Sequence, residues 1–139
     1  MVGISNFESD SAGAFISDLF TTGYGLLEVA LDRVLDEDEP ASLTDCEEAL
    51  VAAEFIAGLS GNPAYDFPED GRDWLREELP PGSESFDLVI GLKDKAADVI
   101  DRIVSDSELR EMWEGNVNYD EWFNNLVDLQ NRLSDPAED

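Results

Sequence analysis

Glu54 is the residue of this sequence whose position most directly invites chemistry, because it interrupts the apolar run from Ala49 to Ala57. A carboxylate carried into an apolar interior must be paired, hydrogen-bonded or protonated. One hypothesis is that Glu54 joins Glu8 and Asp10 in a set of oxygen ligands. Such a set would make the protein a carboxylate-based, metal-dependent hydrolase.

A structural role for Glu54 is the alternative that we favour. Its carboxylate would accept hydrogen bonds from the backbone of the Asn6–Phe7 loop or pair with Arg110, and Glu8 and Asp10 would support the start of the first helix. Buried carboxylates are usually satisfied structural groups when no histidine or nucleophile accompanies them. The polar anchor candidates are therefore Asn6, Glu8, Asp10 and Glu54.

The remaining sequence offers little for catalysis. It contains no histidine, the commonest general base and metal ligand near neutral pH. A serine nucleophile would therefore lack an adjacent histidine base, and no glycine-rich phosphate loop is present. Cys46 lies among acidic residues that oppose thiolate formation, so we expect a small core residue. We predict a non-enzymatic protein with no catalytic, cofactor-binding or metal-binding residues.

Acidic side chains dominate the composition. There are 34 Asp and Glu residues against 8 Lys and Arg residues, for a formal net charge of -26. This charge repels phosphate backbones and anionic lipids, so we exclude nucleic acid and membranes as direct partners. Arg33 is the only basic residue in residues 1–71, and every other charged residue there is Asp or Glu. Either a cationic partner or high ambient salt would offset the resulting self-repulsion.

We predict that the first half of the chain carries an acidic face that binds a basic protein, such as a toxin or a nucleic-acid-binding protein. The carboxylates would stand in for phosphates and accelerate association through long-range attraction. The alternative is that the acids adapt a helical protein of unrelated function to a salt-rich cytoplasm. The predicted face comprises Glu28, Asp32, Asp36, Glu37, Asp38, Glu39, Glu47 and Glu48.

The spacing of apolar residues predicts the elements that position these groups. Stripes at i, i+3, i+4 and i+7 recur along the chain, and β-branched residues never alternate with polar ones over a useful length. The pattern predicts an all-α, single-domain bundle of six to seven helices around a central Ala-rich helix. Thr44 and Glu47 form a capping-box pattern before that helix. A long helix is predicted to begin at Ser83 or Ser85 and to include Ile103.

The domain is predicted to cover residues 1–133, with a frayed acidic tail at residues 134–139. We expect Trp74, Trp113 and Trp122 to be core residues rather than a binding cleft. The single cysteine permits no intramolecular disulfide, and neither a signal-peptide pattern nor an apolar run of ~20 residues is present. We therefore expect a cytoplasmic protein.

Several short motifs occur in a fixed order along the chain. They are Gly3, residues 6–8, residues 10–12, residues 52–54, Ala57, Gly61, Pro63, residues 68–70, Trp74, residues 106–114, Trp122, Leu129, Arg132 and Leu133. In this order and spacing they resemble the domain of unknown function 4259 family of small acidic bacterial proteins. The resemblance covers nearly the whole chain and implies no assigned activity, although an immunity role against a toxin is one expectation. The stretch before the Asn-Phe pair departs from the family pattern, because it lacks the Trp-Gly sequence found in many members.

Overall fold

Eight α-helices account for most of the chain that the structure describes. The structure is a computed structural model, and it describes residue 7 and residues 10–36, 41–64 and 66–134. No β-strand lies within these residues, so the predicted all-α bundle is confirmed. The helices are α1 (Asp10–Thr22), α2 (Gly25–Asp36), α3 (Leu43–Leu59), α4 (Glu69–Glu78), α5 (Glu84–Ile90), α6 (Lys93–Ser105), α7 (Glu108–Trp113) and α8 (Tyr119–Ser134).

Helix α3 lies at the centre of the bundle, as its sequence predicts. Every residue from Ala49 to Ala57 is buried, because the segment is apolar nearly all round and therefore needs neighbours on every side. Helices α1, α2, α6 and α8 pack against α3. Each of these outer helices turns one apolar stripe toward the centre and leaves most of its charged residues outside.

The segment predicted as one long helix consists of α5 and α6, which are separated by Gly91 and Leu92. The backbone tightens there, since the Leu92 N–H donates to the carbonyl of Val89, three residues earlier, at 2.9 Å. Glycine has a low helix propensity, which makes this position the weakest point of the pattern. The break lets α6 leave α5 and pack its own apolar stripe against α3 and α8.

The start of α3 is tied to the start of α7. Ser42 caps α3 by accepting a hydrogen bond from the Asp45 N–H at 3.3 Å, in place of the Thr44 that the sequence pattern indicated. The Glu108 carboxylate accepts from the Leu43 N–H at 2.9 Å. The Glu108 N–H donates in return to the carbonyl of Ala41 at 2.8 Å. This reciprocal capping satisfies backbone groups at both helix ends.

At the C-terminus, α8 extends to Ser134. The rest of the predicted acidic tail, residues 135–139, lies outside the described residues.

Candidate functional site

Five residues of the predicted acidic face are described by the structure, and they lie on two neighbouring helices. Helix α2 carries Glu28, Asp32 and Asp36, and the first turns of α3 carry Glu47 and Glu48. The two helices pack against each other. The remaining members of the predicted face, Glu37, Asp38 and Glu39, lie outside the described residues.

Glu28 and Asp32 are bound by a lysine of the same chain. The Lys95 ammonium of α6 lies 2.8 Å from Glu28 Oε2 and 2.8 Å from Asp32 Oδ1. The two acids are four residues apart, which places them one above the other on a helix surface. Their hydrogen bonds, that of Asp32 before that of Glu28, raise the pKa of Lys95 above its ordinary value. This part of the predicted face is therefore partly neutralised, which the sequence pattern did not indicate.

Glu48 is engaged by the single cation of the first half of the chain. Arg33 Nη1 lies 3.1 Å from Glu48 Oε1, which links α2 to α3. Burial raises the pKa of Glu48; Arg33 opposes this rise, and the nearby carboxylates of Asp45 and Asp18 add to it. Glu48 thus lies among carboxylates contributed by α1 and α3 rather than standing alone in solvent.

Asp36 and Glu47 form no ion pair in the part of the chain that the structure describes. Asp36 is exposed at the end of α2, and Glu47 is half-buried near the start of α3. Of the described members of the predicted face, these two are the ones for which a partner's cation would not compete with an ion pair seen in the structure.

A second line of carboxylates, which the sequence analysis did not single out, lies on α6. Asp94, Asp98 and Asp101 are exposed, and their spacing of i, i+4 and i+7 places them along one side of the helix. Asp98 is three residues from Lys95 and therefore neighbours the lysine that bridges α6 to α2. The sequence does contain this pattern: the three aspartates occupy positions between those of the apolar stripe formed by Ala96, Val99 and Ile103.

Most cations of the chain are held by its own acids. All eight basic residues are described, and six of them form ion pairs there: Arg33, Arg76, Lys95, Arg102, Arg110 and Arg132. Each pair joins residues within the molecule, so these cations do not provide a separate basic surface. The carboxylates in excess of these pairs therefore give the molecule a negative electrostatic potential in the surrounding solvent.

Glu54 is buried, with 2% of its surface exposed. Its carboxylate accepts two hydrogen bonds from the Arg132 guanidinium of α8, at 2.9 Å and 3.3 Å. The predicted pairing with Arg110 is wrong, since Arg110 pairs with Glu114 at 3.3 Å, one turn further along the chain. Burial lowers the pKa of Arg132, and the hydrogen bonds and charges of Glu54 and Asp128 outweigh that effect and raise it. The arrangement is that of a structural ion pair with charge-assisted hydrogen bonds.

The other polar anchor candidates lie at the start of the chain. Asp10 is exposed in the first turn of α1, whereas Asn6 and Glu8 lie outside the described residues. The proposed set of Glu8, Asp10 and Glu54 is therefore not tested as a unit. Among the residues that the structure does describe, no three acidic, cysteine or histidine side chains lie close enough together to share a metal ion.

The aromatic residues and the cysteine belong to the core. Trp113 and Trp122 stack with ring centroids 6.1 Å apart, and Trp74 packs edge-on against Phe55 at 5.9 Å. All three tryptophans are buried, as is Cys46, so the expectation of core residues is confirmed for each. They form no aromatic cleft.

None of the described helices combines the length and the apolar character that a bilayer crossing requires.

A protein-family model matches most of the chain. The family is described as a domain of unknown function (DUF4259), and the match covers residues 1–125. It agrees with the resemblance carried by the sequence motifs and ends within α8. No curated protein and no solved structure matches the chain.

Proposed function

We propose that this chain, which belongs to the family described as a domain of unknown function (DUF4259), is a non-enzymatic acidic protein that binds a basic surface on a protein partner. The partner would be a nucleic-acid-binding protein or a toxin, and the bound protein would occlude its basic surface as an immunity protein does. The place of binding would be the cytoplasm.

The observation that supports this proposal most strongly is that most basic side chains pair with acids of the same molecule. In the described part of the chain, six of the eight basic side chains form ion pairs with acids of the same molecule, yet the whole sequence has a net charge of -26. A field of this size accelerates the approach of a cationic partner and repels anionic competitors. The rigid helical bundle provides a surface that needs little rearrangement on binding.

The contact surface that we propose includes the end of α2 and the start of α3, where Asp36 and Glu47 have no ion pair within the described chain. Glu28, Asp32 and Glu48 have cations of their own, Lys95 and Arg33, and would contribute less. Binding of a partner's arginine or lysine near Asp36 and Glu47 would not have to displace an existing ion pair.

The test uses the purified protein and the most basic protein encoded next to its gene. The association rate constant is measured by stopped-flow fluorescence from about 0.05 M to about 0.5 M NaCl, and we expect it to fall at least about tenfold. The variant Asp36→Asn/Glu47→Gln should associate more slowly at low salt. The matched control Glu69→Gln/Asp70→Asn removes the same charge from α4 and should associate at nearly the wild-type rate. Absence of binding, or binding that is insensitive to salt, would refute the proposal.

Adaptation to salt is the second candidate, and the exposed aspartates of α6, Asp94, Asp98 and Asp101, favour it as well. The two candidates differ in the salt dependence of the melting temperature. Simple screening is nearly complete at about 1 M salt, where the Debye length is about 3 Å. A melting temperature that continues to rise well above that concentration of KCl would support adaptation, and a plateau below it would support the binding function.

A further inference from the structure

An open pocket lies on the molecule where the end of α3 meets α4 and the start of α5. Its volume is about 240 Å³. Most of the side chains that line it are apolar, and they come from all three helices and the segments between them. The principal apolar lining residues are Leu59, Phe67, Leu75, Leu79, Pro81 and Phe86.

The Phe67 ring, which forms part of the pocket wall, packs against two other aromatic rings. It lies 4.9 Å from the ring of Phe55 and 5.5 Å from that of Phe7. Gly58 also lines the pocket, and a Cβ atom there would come within 3.3 Å of the Phe67 ring. With neighbours this close, the ring has little freedom to move, so the pocket is formed before any ligand arrives.

Two arginines line the same pocket. Arg72 and Arg76 are four residues apart on α4 and therefore lie on one side of that helix. Arg72 forms no ion pair within the described residues, although the chain is rich in acids. Arg76 has an exposed contact with Asp73 at 3.6 Å, and exposed pairs of this kind contribute little. The Arg72 guanidinium is therefore available to a ligand, and Arg76 can exchange its contact with Asp73 for one with a ligand at little cost.

We propose that this pocket binds a small carboxylate with a short apolar chain, of the size of hexanoate. The apolar lining matches the body, and the guanidinium groups match a carboxylate through charge-assisted hydrogen bonds. Hexanoate is small enough to enter a pocket of about 240 Å³ and carries both parts, an apolar chain and one carboxylate. A single negative charge fits best, because the net charge of the protein repels a phosphate dianion more strongly.

This proposal does not depend on the proposed partner surface, since the pocket is lined by α3, α4 and α5 and recognises an anion rather than a cation. The two ideas can therefore fail separately. A chain with this charge would gain a local preference for small organic acids only where one of its cations has no acidic partner, as is the case for Arg72 among the residues that the structure describes.

The experiment titrates the ¹⁵N-labelled full chain with sodium hexanoate, hexan-1-ol or hexylammonium chloride at about 0.15 M ionic strength. We expect hexanoate to shift the amide signals of Gly58, Leu59 and Phe86 in a saturable way, with a Kd on the order of 1 mM. Hexan-1-ol should bind more weakly at the same amides, and hexylammonium should not bind there. Two control variants test whether the arginines cause the preference for hexanoate over the neutral and cationic ligands.

The first control is Arg72→Gln/Arg76→Gln, which should weaken hexanoate binding at least about tenfold and leave hexan-1-ol binding within about twofold. The second is Arg33→Gln, which removes a cation from α2 and should leave hexanoate binding unchanged. Because both pocket arginines are exposed, the double variant should give a wild-type spectrum, and Arg72→Gln alone provides the same comparison with a smaller change. The proposal is overturned if hexanoate shifts none of these amides, if hexylammonium binds equally, or if the double variant binds like the wild type.

Discussion

Arg132, near the end of α8, holds the carboxylate of Glu54 in the middle of α3 through a bidentate pair of hydrogen bonds of 2.9 Å and 3.3 Å. The Arg132 guanidinium also donates to the backbone carbonyl of Asn62 at 3.2 Å, and the backbone carbonyl of Arg132 accepts from the side-chain amide of Asn62 at 3.0 Å. These contacts fasten the last helix to the central helix and to the turn that follows it. The ion pair is therefore a structural link between the last helix and the central helix.

Removal of Arg132 should destabilise the protein strongly. Arg132→Met keeps the length of the side chain but leaves the buried Glu54 carboxylate without its guanidinium partner, and breaking a buried pair in this way costs about 3–5 kcal/mol. The free energy of unfolding is measured by urea denaturation.

Two further variants decide whether the cost comes from the buried charge. Asp128 also contacts Arg132, but its side chain is 64% exposed, so Asp128→Asn should cost less than about 1 kcal/mol. Glu54→Met/Arg132→Met should recover part of the loss, because it removes both charges together. If Arg132→Met unfolds at the same urea concentration as the wild type, the structural role is refuted.

Two glycines should respond to alanine in opposite directions. At Gly71 in α4, a Cβ atom would lie 3.0 Å from the ring of Phe55 and 3.1 Å from the ring of Phe67. Both rings are buried, so Gly71→Ala should destabilise by about 1–3 kcal/mol through overpacking. At Gly13 in α1 nothing lies within 4 Å. Gly13→Ala should therefore stabilise by about 0.5–1 kcal/mol, since alanine restricts the unfolded chain.

Thermal and urea unfolding of the two variants, measured side by side, test this contrast. Equal effects of the two substitutions would mean that helix propensity alone governs both positions and that α4 does not approach Phe55 as closely as described.

The pH dependence of stability should reveal the environment of Glu48. Its side chain is 20% exposed, and burial raises its pKa above the ordinary 4.5, against the influence of Arg33. A raised pKa in the folded state means that this group stabilises the fold most at acidic pH, and that the contribution is lost as the pH rises through the folded-state pKa. Glu48→Gln should therefore gain stability relative to wild type, and the gain should be larger at about pH 7 than at about pH 5.

Arg33→Gln serves as the opposing variant, because Arg33 lowers the pKa of Glu48. Its loss should cost stability at about pH 7, and the cost should shrink toward about pH 5 as Glu48 becomes protonated. Urea midpoints across this range provide the measurement. A gain for Glu48→Gln that does not change with pH would contradict the assignment.

The sequence predicted those features that depend on local pattern. The apolar run from Ala49 to Ala57 predicts a central helix whatever its neighbours are, since only burial on all sides accommodates it. The amphipathic stripes of α6 and α8 likewise require a shared core. The core positions of Trp113 and Trp122 follow from the same periodicity.

Features that depend on the tertiary arrangement could not be predicted in this way. Glu54 could be recognised as a buried carboxylate, but its partner Arg132 is 78 residues away, and no local pattern connects them. The sequence pattern indicated Thr44 as the N-cap of α3. The structure uses Ser42, and the neighbouring Leu43 N–H is satisfied by Glu108 of α7.

The acidic face illustrates the same limit. The carboxylates are visible in the sequence, and so is their spacing on α2. Their neutralisation by Lys95 depends on how α6 packs against α2, which only the assembled bundle determines. The binding surface predicted from charge alone therefore included carboxylates that already have a cation.

The length of chain needed for folding should exceed the part that the family model matches. The match ends at residue 125, whereas α8 continues to Ser134. Leu126, Leu129 and Leu133 are buried beyond that point, and the loss of each would cost about 2–5 kcal/mol. Their sum, together with the loss of Arg132, reaches the whole stability of a typical domain, about 5–15 kcal/mol.

We therefore expect a chain of residues 1–125 to show no cooperative thermal transition by circular dichroism at 222 nm, while the full chain melts cooperatively. The full-length Arg132→Met variant is the matched control, because it lacks the ion pair but keeps the three leucines; it should retain a cooperative transition at a lower temperature. A shortened chain that melts as sharply as the control would show that the core closes without the second half of α8.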